Sequence, residues 1–305
     1  MNREKQSAGL RQPKSAKNKK ILASEICGDE NVSKSKECFR IGVNNVGGLP
    51  ATNGRHPKHD KLRALINSHH LDGILIQEIN QHWKKIKTEN RLPSRIKEWF
   101  ATSKCVVGYN KFEEPEKTHQ WGGTGIILTN DLTARCTTGT EVDKLGRWVS
   151  VLLKGKGAIK TRLVSVYGPH KKGGALSAIA QHRAYYLTKK QEDHPYILFW
   201  KEMQEKIQEW KNNGEQLIIG GDWNVQADSK FMQQFCTTAN LKNAYNQVHN
   251  DNKSITSRYP GSKNIDFILI TAGIEIGKAG YTPQAGGASE DHRAMWIEVS
   301  FKSAM

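Results

Sequence analysis

The sequence predicts an α/β fold in which two mixed β-sheets pack together and are flanked by helices. Short apolar runs that end in polar or glycine residues recur along the chain, which is typical of buried strands. Segments with apolar residues at helical spacing separate some of these runs, and no internal repeat is visible. Because apolar runs continue to the end of the 305-residue chain without an obvious linker, we expect one large folded unit.

Eight strands and three helices follow from these patterns. The strands are predicted at residues 39–45, 73–77, 124–129, 148–153, 162–167, 216–220, 265–270 and 294–299. The helices are predicted at residues 58–67, 197–210 and 229–238. In the second helix Trp200, Met203, Ile207 and Trp210 fall on one face, which indicates that this face packs against the core.

Charge is distributed unevenly over the chain, whose formal net charge is +16. Residues 1–38 hold nine Lys and Arg against five Asp and Glu, which leaves +12 on the rest. That first segment lacks apolar periodicity, so we predict a disordered basic tail before a domain over residues 39–302. A basic domain favours a polyanionic partner such as DNA or RNA, because Lys and Arg release counterions from phosphates. The alternative is a solvated surface that keeps the protein soluble.

Apolar stretches and cysteines indicate the cellular compartment. No stretch approaches the 18 or so apolar residues of a membrane helix, and the N-terminus lacks a secretory apolar core. The five cysteines are an odd number without Cys-x-x-Cys spacing, so neither a disulfide framework nor a zinc cluster is favoured. We therefore expect a monomer of the nucleus or cytoplasm, neither secreted nor bound to a membrane.

The most informative segment is the apolar run at residues 216–220, which leads into Gly-Asp222-Trp-Asn224. Successive strand residues alternate sides, so Asp222 and Asn224 point the same way. A carboxylate beside an amide can deprotonate a water molecule and orient it. Taken alone, the same tetrapeptide also matches ordinary turn chemistry after a strand.

Polar residues stand at the ends of other predicted strands. Asn45 precedes a glycine turn, and Glu78 ends the run at 73–77. Asp266 begins a strand, and Asp291-His292 lies just before another. Oxygen ligands near a histidine suit Mg²⁺ or Mn²⁺ better than zinc.

Six motifs taken in order resemble the endonuclease/exonuclease/phosphatase superfamily, over roughly residues 39–302. They are Asn45, Glu78, the Tyr167-Gly-Pro-His170 loop, Gly-Asp222-x-Asn224, Ile-Asp266 and Asp291-His292. This superfamily includes exonuclease III, apurinic/apyrimidinic endonucleases, deoxyribonuclease I and the endonuclease domains of non-LTR retrotransposons. The segments at 121–127 and 145–149, and Gln181-His182 before a long helix, look most like the retrotransposon group.

The resemblance implies a four-layer, deoxyribonuclease I-like sandwich and metal-dependent hydrolysis of DNA phosphodiester bonds. It assigns Asp222 as the general base, with Asn224 orienting water or a phosphate oxygen. It assigns Glu78 as the principal ligand of Mg²⁺ or Mn²⁺, with Asn45 and Asp291 completing the site.

The remaining implied roles concern the phosphate. His292, paired with Asp266, would hold an imidazolium against a phosphate oxygen, since a carboxylate raises a histidine pKa. Tyr167 would donate to the phosphate or assist the leaving group. His170, Lys171 and Lys172 would contact the substrate.

Each assignment has a structural alternative. Asn45 would otherwise satisfy its turn, and Glu78 would cap a following helix. Asp266 and His292 would form a buried structural pair, and Tyr167 would be an ordinary aromatic at a strand end. At the level of function, the alternatives are a phosphoinositide phosphatase or phospholipid phosphodiesterase on the same scaffold, and a catalytically inactive nucleic-acid binder.

Two departures from the family pattern bear on the metal site. The chain has Asn44-Asn45 where relatives usually read Trp-Asn, and it lacks an acid at Gly47, so a second metal ion is doubtful. Glu290 stands between Ser289 and Asp291 where relatives read Ser-Asp-His, and we expect it to crowd the site.

Overall fold

The computed structural model describes residues 26–31, 33–52, 54–112, 120–155, 158–175, 177–249 and 255–300. The strands in these ranges are β1 (Cys27–Gly28), β2 (Cys38–Asn45), β3 (Gly73–Gln77), β4 (Ser103–Gly108), β5 (Thr124–Thr129), β6 (Glu141–Val142), β7 (Trp148–Lys154), β8 (Lys160–Tyr167), β9 (Glu215–Asp222), β10 (Leu241–Asn243), β11 (Asp266–Thr271), β12 (Ile276–Tyr281) and β13 (Met295–Ser300). The α-helices are α1 (Pro57–Ser68), α2 (Leu92–Trp99), α3 (Asn130–Arg135), α4 (Ala178–Thr188), α5 (Pro195–Asn212), α6 (Lys230–Ala239) and α7 (Ala244–Val248).

The strands form two mixed sheets. The first has the order β1-β12-β13-β2-β3-β5-β4, and the second has the order β10-β11-β9-β8-β7-β6. In each sheet one central pair is parallel, β2 with β3 and β8 with β9, while the other neighbours are antiparallel. The two parallel pairs bring the carboxyl ends of four strands to one edge of the molecule.

The sheets pack face to face through an apolar layer. Gly220 in β9 permits their close approach, because a Cβ there would lie 2.5 Å from Cγ2 of Val43 in β2. The layer also contains one polar link, in which Gln77 Nε2 donates to Ser165 Oγ at 3.0 Å. Ser165 Oγ donates in turn to the carbonyl of Ile76 at 3.0 Å, while Gln77 Oε1 has no partner among the described residues. This link ties β3 to β8.

Helices cover the outer faces of both sheets. On the first sheet, buried residues of α1 and α2 such as Leu62 and Ile96 share a cluster with β3 residues. On the second, the predicted stripe of α5 is buried, with Trp200, Met203, Ile207 and Trp210 at most 6% exposed. The four-layer sandwich predicted from the sequence is therefore confirmed.

All eight predicted strands and all three predicted helices are present, with boundaries within two residues. The structure also contains elements that were not predicted, namely strands β1, β4, β6, β10 and β12 and helices α2, α3, α4 and α7. β12 contains Gly277 and Gly280, which weaken a strand signal. Gln181-His182 precedes the long helix α5, as predicted, but both residues are buried inside the separate helix α4, where buried polar side chains disguise the helical period.

The predicted tail is ordered where the structure describes it. Cys27–Gly28 pair with β12, and Asp29 Oδ2 accepts from the backbone N of Ala279 at 2.9 Å. Lys34 Nζ forms a 2.6 Å ion pair with Asp72. The edge of a seven-stranded sheet offers free backbone groups, so a short polar segment can dock there without apolar periodicity. Residues 1–25 of the predicted tail lie outside the described residues.

Among the described helices, none has the length and apolar character needed to cross a membrane.

Candidate active site

Strand register brings the predicted site residues together at the edge where the parallel pairs end. In the second sheet, Asp222 lies opposite Tyr167 of β8 and opposite Asp266 of β11. In the first sheet, Asn45 lies opposite Gln77, whose neighbour is Glu78. Because the sheets face each other, these two sets of strand ends meet.

Asp222 occupies the centre of this cluster and is 1% exposed. Asn45 Nδ2 donates to its Oδ2 at 2.9 Å, and the backbone N of Asn224 donates to its Oδ1 at 3.0 Å. Burial, followed by the charge of Asp266, raises the pKa of Asp222 to about 8, although His292 and the bond from Asn45 oppose this. A carboxylate with such a pKa is a stronger base than an exposed one.

Asn45 thus has two roles in the structure. Its Oδ1 accepts from the backbone N of Gly47 at 2.9 Å, which is the turn alternative raised above. Its Nδ2 bridges to Asp222 in the other sheet. One amide therefore shapes the glycine turn and also fixes the central carboxylate.

Asn224 adopts a left-handed backbone conformation, with φ of 52°. Asparagine tolerates this region better than most residues. Its Nδ2 donates to the carbonyl of Gly168 at 2.8 Å, while its buried Oδ1 receives no hydrogen bond from the residues the structure describes. A buried acceptor next to Asp222 is suited to a water molecule or a substrate hydrogen.

Asp266 and His292 form a buried pair, with His292 Nδ1 2.9 Å from Asp266 Oδ2. Ser257, which is also buried, donates its hydroxyl to Asp266 Oδ2 at 2.8 Å. Burial alone would lower the pKa of His292, but the Asp266 charge and its hydrogen bond raise it to about 9. The imidazole is therefore positively charged at neutral pH.

Glu78 and Tyr167 connect the two sheets on the other side of Asp222. The Tyr167 hydroxyl donates to Glu78 Oε1 at 2.6 Å. Burial, together with the charges of Glu78 and Asp222, raises the pKa of Tyr167 well above its ordinary value, so the phenol keeps its proton. Glu78 has φ of 54°, a backbone conformation that costs a non-glycine residue about 1 kcal/mol or more and is common at functional sites. It caps no helix, which removes the alternative raised above.

Asp291 lies beside the glycine turn that follows Asn45. Its Oδ1 accepts a short hydrogen bond from Ser289 Oγ and would lie 3.9 Å from a Cβ placed on Gly47. Lys58 Nζ covers the same turn and donates to the carbonyl of Gly47 at 2.6 Å. A fixed ammonium at this position disfavours a second cation.

The expectation that Glu290 crowds the site is wrong. Its side chain is 88% exposed and approaches Lys61 Nζ at 3.6 Å. The inserted residue therefore turns outward to helix α1, while Asp291 and His292 keep their places against the site.

The predicted substrate residues His170, Lys171 and Lys172 are exposed on the loop after Tyr167. Partial burial and the positive charge of Arg258 lower the pKa of His170, and Glu78 and His292 are near enough to influence it. This loop therefore borders the site rather than forming its buried part.

Sequence reasoning missed Ser257, Arg258 and Lys58. Arg258 forms an isolated antiparallel bridge with His292, so the two side chains share a face. Its Nε lies 3.8 Å from Asp291 Oδ2, and its side chain is 48% exposed. Ser257 lies nine residues before Asp266, a spacing that matches no motif used in the sequence analysis. Lys58 was interpreted only as the first residue of a predicted helix.

The structure brings one group of possible metal ligands close together, and the family resemblance names a second group. Asp222, Asp266 and His292 have ligand atoms within 4.8 Å of one another. However, His292 holds Asp266 through Nδ1 and carries a proton at neutral pH, which makes it a poor ligand. Asn45, Glu78 and Asp291 supply only oxygen atoms of amide and carboxylate groups, which fit a hard divalent cation. We therefore retain the second group.

Comparisons with known proteins agree with this geometry. The model of a family described as the endonuclease/exonuclease/phosphatase family matches residues 45–292, which is most of the chain. These limits are Asn45 at one end and His292 at the other. No curated protein matches the sequence of this chain at a significant level.

Solved structures similar to this fold have low sequence identity. An endonuclease/exonuclease/phosphatase from Beutenbergia cavernae has a TM-score of 0.60 at 13% identity, covering 87% of this chain and 72% of that one. An AP endonuclease from Leishmania major has a TM-score of 0.60 at 15% identity, with 87% and 88% covered. A 3'-5' exonuclease from Neisseria meningitidis has a TM-score of 0.57 at 16% identity, with 86% and 100% covered. At these identities the likeness establishes the fold.

Proposed function

The chain belongs to the endonuclease/exonuclease/phosphatase family, and on that premise we propose that it is a divalent-metal-dependent endonuclease that hydrolyses DNA phosphodiester bonds. Within the family, we place it with the retrotransposon or AP-endonuclease type. The observation that carries the proposal is the setting of Asp222, which is buried between Asn45 and Asn224 and beside a charged His292. The basic charge of the chain supports a nucleic acid as the substrate.

Activation of water is the role of Asp222 and Asn224. Asp222 in its ionised form accepts a proton from the attacking water, and its raised pKa strengthens it as a base. Asn224 Oδ1, which has no donor from the described residues, accepts the second hydrogen of that water and orients it. Asn45 Nδ2 prevents the carboxylate from rotating away.

Positively charged side chains of the site stabilise the negative charge that develops on the phosphate. The His292 imidazolium is held through Nδ1 by Asp266, and its Nε2, which lies 3.8 Å from Asp291 Oδ2, would donate to a non-bridging phosphate oxygen. Arg258 shares its face and offers a planar guanidinium for the same group. Fixed donors of this kind typically contribute 10²- to 10³-fold each in rate.

Glu78, Asn45 and Asp291 would hold the metal ion. When bound, a Mg²⁺ or Mn²⁺ ion supplies charge neutralisation for the scissile phosphate. Tyr167 keeps its proton at all physiological pH values and positions Glu78 through the 2.6 Å hydrogen bond. The same hydroxyl is a donor for a phosphate oxygen or for the leaving oxygen.

A panel of substrates tests this proposal. Purified protein is incubated with supercoiled plasmid, a duplex with one abasic site, single-stranded RNA and phosphoinositide vesicles, each with Mg²⁺, Mn²⁺ or EDTA. We expect metal-dependent nicking of one of the DNA substrates, and we expect the Asp222→Ala variant to lose this activity. The control variant Asp131→Asn, which changes an exposed residue in the first turn of α3, should retain it. Release of phosphate from vesicles with intact DNA would overturn the assignment in favour of a lipid enzyme.

A further inference from the structure

The glycine turn after β2 directs three backbone carbonyls at one lysine. Gly47 and Gly48 both have positive φ, of 54° and 88°, which turns successive carbonyls to the same side. Lys58 Nζ donates to the carbonyls of Val46, Gly47 and Gly48 at 3.3, 2.6 and 3.0 Å. An ammonium group has three protons, so these bonds use all of them. Lys58 therefore has no proton left for a substrate phosphate.

Lys58 stands at a position where a helix disfavours positive charge. It is the second residue of α1, after Pro57, and the first turn of a helix carries the positive end of the helix dipole. Its side chain is half-buried and lies against the glycine turn. The three carbonyls supply the attraction that offsets the dipole. A local preference broken in this way indicates that the side chain has a role of its own.

The peptide groups that bind Lys58 also bind two of the proposed metal ligands. The first of these peptide groups ends in the N–H of Gly47, which donates to Asn45 Oδ1 at 2.9 Å. The second ends in the N–H of Gly48, which donates to the carbonyl of Glu78 at 2.7 Å. A cation on the carbonyl of a peptide group strengthens the hydrogen bond that its N–H makes. Lys58 thus acts on Asn45 and Glu78 through the turn.

The third proposed metal ligand borders the same turn. A Cβ placed on Gly47 would lie 3.2 Å from Ser289 Oγ, 3.6 Å from Lys58 Nζ and 3.9 Å from Asp291 Oδ1. The ammonium and the Asp291 carboxylate therefore lie on two sides of one small volume. Carbonyl oxygens that converge on one point repel each other unless a cation lies between them, and rings of such oxygens are known to bind cations. Lys58 therefore stabilises the turn beside Asp291.

Building on the metal site of the proposed function, we propose that residues 46–48 form a carbonyl cage for one monovalent cation and that the Lys58 ammonium is the cation it holds. Lys58 is then a positioning residue, because by filling the cage it fixes Asn45 and Glu78 for a divalent ion. Without the lysine side chain, the cage accepts free ammonium, which makes the same hydrogen bonds. It excludes tetramethylammonium, which has no N–H.

Calorimetric titration with Mn²⁺ and thermal unfolding, both without nucleic acid, test the two parts of this inference. The Lys58→Ala variant should bind Mn²⁺ about 10- to 100-fold more weakly than the wild type, which is the range for loss of a group that orients metal ligands. It should also unfold at a temperature about 3–10 °C lower, because hydrogen bonds to a charged group are lost. Ammonium chloride should restore most of both losses, whereas the same concentration of tetramethylammonium chloride should restore neither.

Two further variants separate the cage from charge and from folding. Lys58→Met keeps the apolar stem of the side chain but places a methyl group at the entrance of the cage. It should fold, bind Mn²⁺ as weakly as Lys58→Ala and gain nothing from ammonium. Lys61→Ala removes a positive charge one turn further along α1, where Lys61 lies 3.6 Å from Glu290, and should change Mn²⁺ affinity by less than about 5-fold.

Mn²⁺ affinity in Lys58→Ala that equals or exceeds that of the wild type would overturn the inference, because the ammonium would then not position the ligands. Equal unfolding temperatures of Lys58→Ala in the two salts would also overturn it, and a wild type that binds no Mn²⁺ would overturn both proposals. Otherwise the two fail separately. Lys58-dependent Mn²⁺ binding by a protein that cleaves no nucleic acid refutes the nuclease alone, whereas Mn²⁺-dependent nicking with normal Mn²⁺ affinity in Lys58→Ala refutes the inference alone.

Discussion

The Asp266→Asn substitution tests whether the charge of His292 is part of the chemistry. Asp266 is buried and is the main reason that the pKa of His292 reaches about 9. Asparagine keeps nearly the same shape but removes the negative charge. Without that charge, we expect the pKa of His292 to fall to about its ordinary value of 6.5, because burial lowers it while the charges of Asp222 and Asp291 still raise it.

The size of the effect follows from the two pKa values. A fall of about 2.5 units corresponds to about 3.4 kcal/mol of lost stabilisation of the imidazolium. At pH 8.5 the charged fraction of His292 would drop from about three quarters to about 1%, whereas at pH 6.5 it would drop only to about half. Asp266 also raises the pKa of Asp222, so both limbs of the rate profile should move to lower pH.

The assay is kcat/KM for plasmid nicking between pH 6 and 9.5 with a fixed metal concentration. The wild type should rise as Asp222 ionises near pH 8 and fall as His292 loses its proton near pH 9. From the His292 fractions alone the variant should be about 50- to 100-fold slower at pH 8.5 and about twofold slower at pH 6.5. The lower pKa of Asp222 would reduce the loss at pH 6.5 further, because more of the base is then ionised. A loss of equal size at both pH values would refute the reasoning, since it would make Asp266 a structural partner only.

Three further predictions concern other parts of the molecule. Arg258→Ala should reduce kcat/KM by about 10²-fold through a lost charged donor, with partial recovery in Arg258→Lys. Lys160→Ala, at the end of β8 opposite Tyr167, should cause no loss. Equal activity in all three variants would exclude Arg258 from the phosphate site. Burial lowers the pKa of His182 to about 3, so the folded state keeps it neutral, and stability is lost as pH falls below about 6.5. Between pH 7 and pH 5 the free energy of unfolding, measured in urea, should therefore fall by about 2 kcal/mol less in His182→Gln than in the wild type. Identical losses in the two proteins would contradict this. Met203→Ala, at a fully buried position of α5, should lower the free energy of unfolding by about 2–5 kcal/mol while kcat/KM per folded molecule stays the same.

Much of the fold was predictable because strands and helices leave periodic patterns. The apolar runs at β3 and β9 are continuous, as expected for strands covered on both faces, and their polar ends at Glu78 and Asp222 mark the site. The order of those ends along the chain was enough to suggest the family. Strands with glycine, such as β12, and helices with buried polar residues, such as α4, have no clear period and were missed.

The contacts within the site depended on information that periodicity does not contain. Alternation of strand residues brought Asp222 and Asn224 together, but Asn45 reaches Asp222 only because the two sheets face each other. Ser257 and Arg258 lie in an irregular segment whose position is set by the bridge to His292. Such long-range pairings are fixed by tertiary packing, so a single sequence does not reveal them.

The measurement that tests the central claim most directly is conversion of supercoiled plasmid to nicked circles by wild-type protein and by Asp222→Asn, with and without added metal ion. Asparagine fits the space of Asp222 and can still be held by its neighbours, but it cannot accept a proton from water. We predict nicking by the wild type in Mg²⁺ or Mn²⁺, none in EDTA, and a loss of at least about 10²-fold in the variant. Equal nicking by the folded variant and the wild type would contradict the assignment of Asp222 as the base.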